Sequence, residues 1–266
     1  MTQNTLDAYL EHELSAAPCK SALLMTDLMT GRVLLARNQE VAVPSASTIK
    51  LPVLLAMLEG VRQREFTLDQ PIPITHVMED TRIFDRGEAV YSLRELLYWM
   101  ITVSDNTATN TVLDLLGFDR VNAYARDILG LQSTLCRRKM LDFSAARAGL
   151  DNTTSAADQC RCYTLLHHGG ILDETMREVA MTMLKAQRST DLFLRYISSP
   201  VTVAHKPGGL DGLDHDAGIF LLPRRPFYLG IFTWDGVGSE ESADRRKLIG
   251  RLTKAIYDTY QGGAFQ

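Results

Sequence analysis

The chain is 266 residues long and 45% hydrophobic, with 28 lysines and arginines against 32 aspartates and glutamates, for a formal net charge of -4. That apolar content supports a substantial core and excludes a disordered or fibrous chain. The basic residues are scattered rather than gathered in blocks, which excludes a nucleic acid backbone as partner and leaves a small-molecule or peptide-like substrate. No stretch reaches the roughly 18 apolar residues that span a bilayer, so no membrane partner is expected. The opening MTQNTLDAYLEHELSAAP is acidic where a secretory signal needs a basic start. The expected location is the cytoplasm, or the periplasm or exterior if a leader has been removed.

Residues 5–16 have amphipathic helical spacing. The apolar runs SALLMTDL and RVLLARN follow on either side of the turn Met29-Thr30-Gly31-Arg32, which predicts a β-hairpin. From Ser47 to about Tyr196 the spacing turns helical, through TIKLPVLLAMLEGV, SLRELLYWMIT, NTATNTVLDLLG, DRVNAYARDILG, SAADQCRCYTLLHH and DETMREVAMTMLKAQ. Residues 136–154 break this rhythm and predict a long ordered loop, a length at which loops are often functional. Strand signals return after Pro200 in VTVAHKPG, AGIFLLP and FYLGIFTW, and a long helix near ESADRRKLIGRLTKAIYDTY closes the chain. The pattern predicts an α/β lobe from residues 1–44 and 200–266 around an inserted all-α lobe from residues 45–199.

Three constellations carry chemistry. In Ser47-Thr48-Ile49-Lys50, at the start of an apolar helix, the serine and lysine share a face. A serine hydroxyl needs a base, and a desolvated neutral lysine serves as one, while the helix N-terminus supplies donors for an oxyanion. The plainer alternative is Ser47 as an N-cap. In Ser104-Asp105-Asn106, Ser104 is placed to relay a proton to a leaving group, and the Asn106 amide to hold Lys50 and bind a substrate amide carbonyl. Helix capping accounts for the serine or the aspartate. In Lys206-Pro207-Gly208-Gly209, Gly208 and Gly209 let a substrate backbone come close and Lys206 supplies charge for a substrate carboxylate, with the Gly209 amide a second oxyanion donor beside that of Ser47.

In this order the three resemble the S-x-x-K, S-D-N and K-T-G signature of the serine β-lactamase and penicillin-binding-protein superfamily. The stretch SDNTATNTVLDLLG, the run VAHKPGGL with DAGIF beyond it, and Tyr91 ahead of the S-D-N helix look like class A β-lactamases, and the resemblance covers nearly the whole chain. It implies an α/β plus all-α fold of the β-lactamase/transpeptidase type, an antiparallel sheet flanked by terminal helices with an inserted helical lobe. It also implies no metal and no cofactor, an active site between the lobes, a substrate contact at Tyr91, and an acyl-enzyme on Ser47.

The sequence departs from that family in two places. Class A enzymes carry a loop glutamate, in the pattern E-x-x-x-N, that activates the deacylating water; here Arg137 and Asn152-Thr153-Thr154 fit the loop borders, and Lys139 stands where the glutamate belongs. Asp142 is the nearest acid, either a replacement base or a partner for Arg137 or Arg138, and Lys139 is open to a role as a substrate-reading charge. Pro207 replaces the threonine whose hydroxyl binds a carboxylate. The expected activity is a serine hydrolase acting on an amide or ester, β-lactams included; the alternatives are a penicillin-binding or sensing module that acylates without release, a non-lactam peptidase or esterase, and an inactive scaffold. The remaining candidates read as structural: His167-His168 at a helix end, His205 beside the site, Asp211, Asp214 and Asp216 in a turn, Trp99 and Trp234 in the core, and Cys19, Cys136, Cys160 and Cys162 as cytosolic thiols.

Overall fold

The computed structural model describes residues 1–81, 83–84, 90–236 and 242–265. The hairpin forms as expected, from β1 (Lys20–Asp27) and β2 (Val33–Arg37). These strands join β7 (Val203–Leu210), β8 (Leu213–Phe220) and β9 (Phe227–Trp234) in one antiparallel sheet of order β2-β1-β9-β8-β7. Alternation along β1 divides its side chains between two cores, because successive residues of a strand point to opposite faces. Leu23 and Met25 face a core shared with Leu6 and Leu10 of α1 (Gln3–Ala16) and with Leu248, Leu252 and Ile256 of α9 (Ser242–Gln261). Ala22 and Leu24 face the other core, against the helices.

At the centre of those helices lies α2 (Lys50–Arg62), where every residue from Lys50 to Leu58 is buried, as befits a helix apolar on all sides. Around it stand α3 (Leu93–Thr102), α4 (Asn106–Leu116) and α8 (Glu174–Lys185), while α7 (Ala156–His168) packs on the sheet. Trp99 and Trp234 pack partly buried against this core. The DRVNAYARDILG segment begins as α5 (Phe118–Ala123) and ends as a π turn, Tyr124–Ile128. Among the described residues no helix is long and apolar enough to cross a membrane.

Residues 136–154 form the predicted loop, closed where Leu135 bridges Thr153 and where β6 (Thr153–Thr154) pairs with β3 (Val43–Pro44). Within it sits a helix the periodicity did not show, α6 (Phe143–Arg147). Five residues are too few to display a 3.6-residue rhythm, and the helix rests on a local cap instead.

Candidate active site

Ser47 lies in a 3-10 turn, Ala46–Ile49, and the α-helix begins only at Lys50. The residue in the capping position is Ser45, which removes the N-cap explanation for Ser47. Ala46 has φ of 42°, a left-handed conformation costly for a residue with a Cβ. The half-buried Ser47 lines a cavity, and among the described residues its hydroxyl has no hydrogen-bond partner. His215 supports the approach to this turn from below. Burial pushes its pKa down to about 4, so the ring is neutral and donates one N–H; Nε2 lies 2.8 Å from Pro44 O and Nδ1 2.8 Å from Asp214 O.

Strand β7 packs directly on the Ser47 turn. A Cβ on Gly208 would stand 2.8 Å from Ser47 N and 3.1 Å from both Ala46 Cβ and Thr48 N, so only glycine fits. The structure therefore places Gly208 against the Ala46–Ile49 turn rather than against open cavity. β7 is an edge strand, paired only with β8. Pro207 O accepts from Lys206 Nζ at 2.8 Å, so the polar edge of Pro207 points away from β8. Backbone groups alternate in direction along a strand, which turns the Gly209 N–H to the same side, where Gly209 lines the cavity with Ser47. Pro207 costs no ladder bond there, since its missing N–H belongs to the free edge.

Lys50 and Lys206 meet at Ser104. Lys50 Nζ donates to Ser104 O at 2.7 Å, Ser104 Oγ at 3.0 Å and Asn106 Oδ1 at 2.7 Å; Lys206 Nζ donates to the same Ser104 Oγ at 3.0 Å. Ser104 reaches this position through a φ of 60°. Capping of α4 falls to Asp105, whose Oδ1 accepts from Ala108 N at 2.8 Å, so the Ser104 hydroxyl is left for the lysines. Burial drives the Lys50 ammonium well below its ordinary range, the charge of Lys206 adds to the effect, and Asp105 and Asp80 oppose it. Burial brings Lys206 down to about 7, against the pull of Asp216. No hydrogen bond joins Lys50 to Ser47.

Asp80 was not visible in the sequence pattern. Its Oδ2 accepts from Asn106 Nδ2 at 2.6 Å, which fixes the amide with its oxygen toward Lys50. No spacing rule ties Asp80 to Ser104-Asp105-Asn106, 24 residues or more further on.

Other expected residues sit elsewhere. Asp142 is the cap of α6: its Oδ1 accepts from Ser144 Oγ at 2.6 Å and Ala145 N at 3.0 Å, bonds that hold its carboxyl below the usual range. It pairs with neither Arg137 nor Arg138 and does not line the cavity. Lys139 turns outward to Asp114 at 2.6 Å, half exposed, and does not line the cavity. Its neighbour Arg138 turns inward and lines the cavity instead. Tyr91, on β5 (Val90–Ser92), stands edge-on to Phe84 and Trp99, each at 5.0 Å between ring centroids, and is not part of the cavity wall. His205 is buried, with Nδ1 2.9 Å from Asp216 Oδ1, and Asp214 is held by Arg245 and Arg246. His167 and His168 close α7 at a left-handed Gly169. None of the four cysteines forms a disulfide. Among the described residues no three His, Cys, Asp or Glu are grouped to hold a metal ion.

An antiparallel sheet flanked by terminal helices, an inserted helical group, and a serine and two lysines gathered where they meet define a protein of the β-lactamase/transpeptidase-like fold. The chain belongs to the beta-lactamase enzyme family, whose profile it matches over residues 4–260. It is 23% identical over 239 residues to a beta-lactamase of Bacteroides uniformis, covering 83% of this chain and 80% of that one. The crystal structure of a beta-lactamase from Chitinophaga pinensis DSM 2588 superposes with a TM-score of 0.87 at 23% identity, covering 97% of this chain and 100% of that one. A mutant of PBP-A, solved as an acyl-enzyme complex with penicillin-G, superposes with a TM-score of 0.86 at 22% identity, covering 97% of each chain. At such identities the structural likeness establishes the fold.

Proposed function

We propose that this protein is a serine hydrolase that opens an amide or ester, β-lactams included, through an acyl-enzyme on Ser47. The observation that carries the reading is the convergence of Lys50 and Lys206 on one hydroxyl, Ser104 Oγ, beside a serine whose own hydroxyl is unspent. Lys50 in its neutral form donates two N–H bonds, to Ser104 O and Asn106 Oδ1, and keeps a lone pair for a hydroxyl proton. Ser47 Oγ attacks the carbonyl carbon and gives its proton to Lys50. The oxyanion is met by the Ser47 and Gly209 amides. As the bond from carbon to the leaving nitrogen or oxygen breaks, Ser104 gives its hydroxyl proton to that atom and takes in its place the proton that Lys50 received from Ser47. Water then cleaves the ester at Ser47.

A second reading, a module that acylates and does not release, is favoured by one observation. No carboxylate lines the cavity among the described residues, and both candidates from the loop, Asp142 and the position of Lys139, are turned to other partners. Steady-state turnover of a chromogenic cephalosporin and a short-chain aryl ester, in wild type and Ser47→Ala, tests the nucleophile, and equal rates in the two proteins overturn the assignment. Intact mass after incubation with penicillin separates the readings. Return to the unmodified mass supports the hydrolase; a lasting adduct supports the sensor.

A further inference from the structure

Arg138 has no part in the chemistry above, yet it is 5% exposed and lines the cavity with Ser47, Asn106, Leu141 and Gly209. Its backbone is clamped by Asn152, whose Oδ1 accepts from Arg138 N at 3.0 Å and whose Nδ2 donates to Arg138 O at 3.1 Å. The guanidinium is fixed as well. Nε donates to Asp151 Oδ1 at 2.7 Å, Nη1 to Lys139 O at 3.1 Å, and the group lies over the Phe143 ring, 6.0 Å from its centroid.

Nη2 has no partner among the described residues, and unlike the terminal nitrogens of Arg245 it is not sealed from solvent. Apart from Ser47 and the amide of Gly209, which the proposed chemistry uses, the polar groups on this wall are engaged, the Asn152 amide by the loop backbone and the Asn106 amide by Lys50 and Asp80. A rigid fork with two nitrogens tied back and the third left unpaired, on an arginine that lines a cavity without carboxylates, is suited to meet a planar anion. A solvated arginine would gain nothing from such fixing, since an exposed pair contributes little.

We propose that the acyl portion of the substrate carries a carboxylate that docks on Arg138 Nη2, making Arg138 a specificity-determining residue. The proposal rests on the reading of Ser47 as the acylated residue. Asp151 orients the fork through Nε, and the substrate carboxylate completes it.

The test compares acylation rate constants, by intact mass, for benzylpenicillin and its α-carboxy and α-amino derivatives, whose acyl groups differ at one carbon. A second pair, mono-p-nitrophenyl glutarate against p-nitrophenyl butyrate, carries the comparison to esters, with the Ser47→Ala rate subtracted as background. In wild type the carboxy compound acylates about tenfold or more faster than the amino compound, the scale of one hydrogen bond to a charged group, and glutarate leads butyrate in the same sense. Arg138→Gln brings both ratios close to one, and Arg138→Lys retains part of them. Ratios near one in wild type, or ratios that survive Arg138→Gln, overturn the proposal. An arginine that only clamps the loop lowers every rate together and leaves the ratios in place, which also overturns it. If neither probe set labels Ser47 in wild type, the acylation reading fails and the proposal falls with it; labelling without preference sinks the proposal alone.

Discussion

Lys50 and Lys206 share one acceptor: both ammonium nitrogens lie 3.0 Å from Ser104 Oγ. Burial pushes both amines below their ordinary range, Lys206 to about 7, and the charge of Lys206 lowers Lys50 further. That arrangement suits one lysine to serve as base while the other is the cation that polarises Ser104.

Acylation by wild type is expected to fall as pH rises through about 7, where Lys206 loses its proton. Lys206→Arg keeps the charge at every accessible pH, so its basic limb disappears, at a maximum about tenfold lower because a guanidinium replaces the compact ammonium. Rate constants for Ser47 acylation from pH 5.5 to 9.5 measure this. A basic limb that persists in the arginine variant assigns the titration to another group.

Asp80 acts through Asn106. Its carboxylate holds Nδ2 at 2.6 Å, and its charge is one of two that raise the Lys50 pKa against burial. Removing the charge in Asp80→Asn lowers the Lys50 pKa further, so neutral Lys50 persists to lower pH and the acid limb of acylation moves toward acid. The lost orientation of Asn106 lowers kcat/KM about tenfold. An acid limb that stays in place, or moves to higher pH, counts against Asp80 as a positioning residue.

What was legible before the structure is what local chemistry determines. Ser47 and Lys50 could be singled out because an i, i+3 pair near a helix start shares a face, and Ser104-Asp105-Asn106 because the tripeptide follows that pair in an order that resembles a known signature; the structure brings Lys50, Ser104 and Asn106 together. Arg138 and Lys139 were not separable. They are adjacent in a segment without a period, and only the course of the loop, with Leu141 at φ of 63°, sends one inward and the other to Asp114. The packing of Tyr91 was not legible for a related reason: Trp99, packed against the core, and Phe84 draw its ring into their own cluster. Asp80 was invisible because its bond to Asn106 closes a gap of 26 residues that no sequence rule spans.

Asp142→Ala separates a cap from a catalytic base. In this structure the carboxylate serves Ser144 and Ala145 at the start of α6 and stands outside the cavity. The release rate of a preformed acyl-enzyme, followed by intact mass, is expected to stay within about twofold of wild type, since loss of an exposed cap frays a helix locally. A hundredfold slower release would restore Asp142 as the water-activating group.

Gly208→Ala tests the closeness of β7 to the nucleophile turn. The added Cβ would meet Ser47 N at 2.8 Å, and that atom is backbone, so relief requires the strand and turn to part. The expected costs are about 1 to 3 kcal/mol of stability, typical of overpacking, and about a hundredfold or more in acylation, if Ser47 N is one of the two oxyanion donors as proposed. Gly209→Ala is the control: its Cβ would find side-chain atoms first, Asp214 Oδ1 at 3.2 Å and Arg246 Nη2 at 3.7 Å, with no backbone atom nearer than Leu213 O at 3.8 Å. Denaturant titrations and acylation rates should then diverge between the two variants, with the alanine at 208 losing far more activity than stability. Wild-type acylation in Gly208→Ala would mean that Ser47 N does not hold the oxyanion, and the donors would have to be sought elsewhere on β7.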